Sequence, residues 1–76
     1  MNNATATIEM LPNTIVNGRS VCRALVELSA HTGEWLGSFV VFGRDHQAIN
    51  DLAYMEANIN LSSKGYALQY MRRAAA

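Results

Sequence analysis

Two histidines, one cysteine and the run Arg44-Asp45-His46 are the residues whose types suit acid–base, nucleophilic or metal chemistry. A metal site needs several His, Cys or carboxylate donors at the short spacings of a turn or of one helix face. Neither His31 nor His46 has a second His, a Cys or a carboxylate pair placed in that way. Arg44, Asp45 and His46 are consecutive, so at a helix start their side chains diverge, and Asp45 has a simpler role as a helix cap. Both histidines therefore read as exposed or structural. Cys22 lies among apolar neighbours and reads as a small buried hydrophobe rather than a nucleophile. Gly33, Gly37 and Gly43 are too scattered for a phosphate-binding loop and read as a turn, a close strand contact and a strand end. No catalytic residue, metal or cofactor is expected.

Basic and aromatic residues offer a second kind of chemistry. Arg19 and Arg23 share one face of a strand, Tyr66 and Tyr70 one face of another, and Arg72-Arg73 follow. Aromatics interleaved with cations on a sheet hold single-stranded RNA in many proteins. Glu27 and Glu34 dilute the patch, and six Lys and Arg balance six Asp and Glu over the whole chain. The phosphate-neutralising term that dominates nucleic-acid affinity is thus missing. A small RNA- or DNA-binding regulator using Arg19, Arg23, Arg72 and Arg73 is the rival reading, and zero net charge favours association with a protein or with a second copy.

The elements that hold these residues follow from periodicity. Ala4 to Met10 alternates small or apolar residues with Thr5, Thr7 and Glu9, the pattern of a half-buried strand. Asn17-Gly18 supplies the two positive-φ positions of a type I′ hairpin. Pairing Val16 with Arg19 puts the first strand out of register by one residue, so a bulge or kink is expected at Pro12 and Asn13. Strand two, Arg19 to Ser29, has Cys22, Ala24, Val26 and Leu28 on its core face. His31-Thr32-Gly33 suits a three-residue loop that sets Ala30 opposite Glu34. In the third strand, Glu34 to Phe42, the run WLGSFVVF has large apolar residues in both alternate sets. With that loop, Leu36, Val40 and Phe42 join the core face, while Trp35, Phe39 and Val41 share the other face with Val21 and Leu25. A two-residue turn exchanges the two sets.

Asp45 is the expected N-cap of a helix from about His46 to Leu61, with Ala48, Leu52, Met55 and Ile59 on its buried stripe beside Ile49, and Tyr54 facing out. Ser62 to Gly65 is turn chemistry, and Tyr66 to Arg72 alternates as a last strand. The expected architecture is α+β over residues 1–76: a small antiparallel sheet of about four strands, in βββαβ order, with one helix on one face. One helix leaves the other face open. The expected partner-binding residues are Arg19, Arg23, Leu25, Trp35, Phe39 and Val41, and a chain of 76 residues sits near the lower size limit for a stable single core, which favours a homodimer. The first twenty residues lack a basic start and an apolar signal core, the longest apolar runs are too short to span a membrane, and Cys22 has no partner for an internal disulfide. The cytoplasm is the expected location.

Ile15 to Val21, IVNGRSV, resembles a hairpin corner in the small anti-CRISPR proteins that phages direct against type I CRISPR surveillance complexes. The resemblance implies a tiny, non-enzymatic inhibitor, built as one sheet with one or two helices, that occludes a nucleic-acid site or locks an effector in the host cytoplasm. The balanced charge departs from the strongly acidic DNA mimics of that group, and no functional residue is carried over.

Overall fold

The computed structural model describes residues 2–74. Its elements are β1 (Asn2–Val16), β2 (Arg19–Ala30), β3 (Trp35–Gly43), α1 (His46–Ser63) and β4 (Tyr66–Arg73), and the sheet order is β3-β2-β1-β4. The α+β class, the βββαβ order and the single helix packed on one face are as expected. The first three strands are antiparallel, whereas β4 runs parallel to β1 and makes the sheet mixed. The reason lies in α1. Its 18 residues span about 27 Å and carry the chain back across the sheet, so the next strand must run in the direction of β3, which is also that of β1.

Local chemistry sets the turns. Asn17 and Gly18 have φ of 52° and 77°, the paired left-handed geometry of a type I′ turn. The register of β1 on β2 slips between Leu11 and Thr14, which places the extra residue at Pro12-Asn13. Arg23 fastens this bulge by donating from Nε to the Pro12 carbonyl at 2.8 Å. At the next turn, the Ala30 N–H donates to the Glu34 carbonyl and the Gly33 N–H to the Ala30 carbonyl, each at 2.8 Å. Asp45 caps α1 by accepting from the Ala48 N–H at 2.8 Å.

The core lies between the sheet and α1 and is rich in small side chains. Ala4, Ala6 and Ile8 of β1, Ala24, Val26 and Leu28 of β2 and Val41 of β3 meet Ile49, Ala53, Ala57 and Leu61 of α1. The helix stripe is therefore rotated from the expected one. Leu52 is half-buried, and Met55 and Ile59 are exposed. Alanines on both sides let the helix axis approach the sheet closely, and the larger residues at 52, 55 and 59 are displaced to its flank.

The third strand holds the other correction. Phe39 pairs with Val26 and Val41 with Ala24, so Phe39 and Val41 face the helix, and Val40 and Phe42 take the open face. The expected three-residue loop forms, but the register slips between Leu28 and Ser29, leaving Leu36 as an extra residue in β3. Gly37, at φ 134°, supplies the backbone conformation for that bulge, which an L side chain rarely adopts.

Candidate protein-binding face

The uncovered face of the sheet is read row by row from the strand pairing. Phe42, Arg23 and Leu11 form one row and Val40, Leu25 and Glu9 the next. A polar row of Ser38, Glu27, Thr7 and Arg72 follows, and then Trp35, Ser29, Thr5 and Tyr70. Alternation of side chains along each strand places all of these on the side away from α1. Phe42 is 50% exposed and Val40 is also exposed, while Leu25, Leu11 and Val21 are half-buried beside them. The result is a continuous apolar patch crossed by the Arg23 side chain and edged by Glu9 and Glu27.

The β1–β2 hairpin extends this face beyond the body. Among the described residues, pairing with β4 ends at Ile8 and pairing with β3 begins at Cys22, so residues 12–21 form a two-stranded arm without a third strand. Ile15, Val16 and Arg19 are exposed on it. The arm contains the whole IVNGRSV segment.

Of the six expected partner-binding residues, Arg19, Arg23, Leu25 and Trp35 lie on the open face or the arm, with Trp35 set apart from the apolar patch by the polar row. Phe39 and Val41 do not. Val41 is buried and Phe39 packs against the core, because the Leu36 bulge reverses the alternation between the loop and the strand centre. Val40, Phe42 and Leu11 take their place. The signal that could have found them was Gly37, an isolated glycine inside an apolar strand.

The basic and aromatic residues do not assemble into a stacking platform. A register slip between Ala4 and Thr5 turns Tyr66 towards the core and Tyr70 towards the open face, so the two rings occupy opposite sides. Arg72 stands beside Thr7, which separates it from Glu27 on the open face, and Arg73 lies opposite Ile8. Glu9 and Glu27 lie between Arg23 and Arg72.

The chemistry-bearing residues are dispersed. His31 is exposed in its turn, His46 is exposed at the first position of α1, and the half-buried Cys22 donates weakly to the Arg44 carbonyl with Sγ 3.9 Å away. Among the described residues, no group of three His, Cys, Asp or Glu side chains is placed to hold a metal ion, and no helix is long and apolar enough to cross a membrane. Comparison with known proteins gave no match among family models, curated protein sequences or solved structures.

Proposed function

We propose that this chain is a non-enzymatic protein-binding module that acts in the cytoplasm as a homodimer, and that it inhibits a bacterial CRISPR–Cas complex on behalf of a phage or mobile element. The observation that carries the binding role is the uncovered sheet face, where Phe42, Val40 and Leu25 form an apolar patch with Arg23 in it and a polar rim around it. Aromatic and Arg anchors inside such a rim are the common make-up of interface hot spots. The specific target rests on the IVNGRSV resemblance, and the projecting arm gives that segment a position from which to reach a cleft. A nucleic-acid regulator is the weaker reading, because acidic side chains interrupt the arginines and the tyrosines do not share a face.

A phage-plating assay tests this reading. Cells carrying a type I system and a matching spacer should regain phage sensitivity when the protein is expressed. Phe42→Glu should abolish the effect in a folded protein, whereas His31→Ala, His46→Ala and Cys22→Ala should retain it. Full immunity in cells expressing the wild-type protein would overturn the inhibitor assignment, and loss of effect in folded His46→Ala or Cys22→Ala would revive a catalytic or metal-dependent one.

A further inference from the structure

Resting on the reading of this chain as a self-associating module, we propose that two copies join edge to edge through β3, antiparallel about a two-fold axis at Phe39. The product is one continuous sheet with both helices on the same side.

Among the described residues, β3 and β4 are the two edges of the sheet. Edge strands of monomeric proteins are usually blunted by charge, proline or irregularity. The β4 edge carries Gln69, Arg72 and Arg73 and a register slip. By contrast β3, WLGSFVVFG, contains no charged residue and no proline, and its one irregularity lies near its start.

The direction of the free backbone groups fits a self-pairing. The Ala30 N–H donates towards β3 and the His31 N–H donates to Asn3 in β1, so even-numbered residues of β2 bond to β3 and odd-numbered ones to β1. Gly37, Phe39 and Val41 are the partners of Leu28, Val26 and Ala24 and hence use their backbone groups inwards. Ser38, Val40 and Phe42 direct theirs to the open edge. A two-fold axis at Phe39 sets Ser38 opposite Val40 of the partner subunit, and both residues exchange N–H···O bonds.

The same axis makes the ends complementary in charge. The uncharged strand is bounded by Glu34 and Arg44, which are equidistant from Phe39 in sequence. Antiparallel pairing brings Glu34 towards Arg44 of the partner subunit, within the one-residue offset that the Leu36 bulge introduces. The Arg44 side chain is 91% exposed, and its one ion pair among the described residues is with the neighbouring Asp45, at 3.8 Å. Parallel pairing would instead set Glu34 against Glu34.

A further cleft, part apolar and part polar, lies along this edge. A groove of about 400 Å³ runs between β3 and α1, lined by residues 39–42 of the strand and by Leu52, Glu56 and Asn60 of the helix. Phe39 and Leu52 are the half-buried apolar side chains of that groove, and both pack against the edge of the core. The second copy brings the same residues into the groove from its own side, and the open faces of both sheets stay free for another partner.

Sedimentation velocity at micromolar concentration, with circular dichroism of each variant, tests the arrangement. The wild type should be a dimer. Val40→Pro removes an outward N–H and no bond of the protomer's own ladder, so it should yield a folded monomer. Glu34→Arg and Arg44→Glu should each weaken dimerisation by about threefold or more, and the double swap should restore it. A monomeric wild type would overturn both this arrangement and the homodimer reading. A dimer indifferent to folded Val40→Pro, or single swaps that the double swap fails to rescue, would overturn the β3 edge alone and leave self-association to another surface. Should Val40→Pro fail to fold, the charge-swap series decides by itself.

Discussion

Gly43 shows how a single hydrogen atom in place of a side chain decides where the helix sits. A Cβ built there would lie 3.3 Å from the Ala48 Cβ and from both the Ile49 backbone nitrogen and its Cγ1. The first turn of α1 thus rests directly on the end of β3. Gly43→Ala should lower stability by about 1–3 kcal/mol through overpacking, read as a fall in the urea midpoint at unchanged slope. An unchanged midpoint would show that the turn can shift without cost. Asp45 works on the same turn from outside the core. Asp45→Ala removes the carboxylate that accepts from the Ala48 N–H and should cost about 1 kcal/mol, or about 4–8 °C in Tm for a domain of this size, while Asp45→Asn should recover most of it. Such residues were legible in the sequence because their effect is local. Asn17-Gly18 and the Asp45 cap need only their own backbone geometry to act.

The elements were legible as segments, less so as oriented objects. Strand three was placed correctly along the chain, and its loop forms with Ala30 opposite Glu34, yet its faces are reversed by one extra residue at Leu36. Period-two alternation transmits such a slip to every following side chain. The first bulge could be inferred because the register set by Asn17-Gly18 contradicted the alternation of strand one, whereas an isolated glycine at position 37 was the one mark of the second. In α1, hydrophobic size pointed to Met55 and Ile59, but alanine-lined closeness to the sheet decided the buried stripe. Leu61→Ala should therefore cost about 2–5 kcal/mol as a cavity mutation, and Ile59→Ser should leave monomer stability within about 0.5 kcal/mol, measured under denaturant at low protein concentration. Equal losses would place the helix differently. The β1–β2 ribbon yields a further expectation. Residues 12–21 have no third strand beside them among the described residues, and an isolated two-stranded hairpin is marginal in water. Their amides should exchange with solvent well before those of Ala4 to Ile8. Equal protection would mean that something covers the arm.

Over the whole molecule, formal charge sums to zero, and on the open face Glu9 and Glu27 separate Arg23 from Arg72. Short RNA or duplex DNA should accordingly show no measurable binding at physiological salt. Binding with a steep salt slope, reduced by Arg72→Ala and Arg73→Ala, would support the regulator instead. The parallel course of β4 was the part of the architecture least accessible from sequence, since it depends on where a helix delivers the chain rather than on any residue in the strand. It also has a meaning in time. The interior strand β1 receives β2 from its own hairpin, but its other side waits for β4, with Ala4 meeting Leu68 across most of the chain's length. During synthesis the hairpin and β3 are available early, and one side of β1 stays unpaired until residues 66–73 emerge. Contacts so distant in sequence slow folding, and in that interval the nascent chain presents two bare strand edges, β3 and β1. Its exposure to misassembly is thus concentrated late in translation.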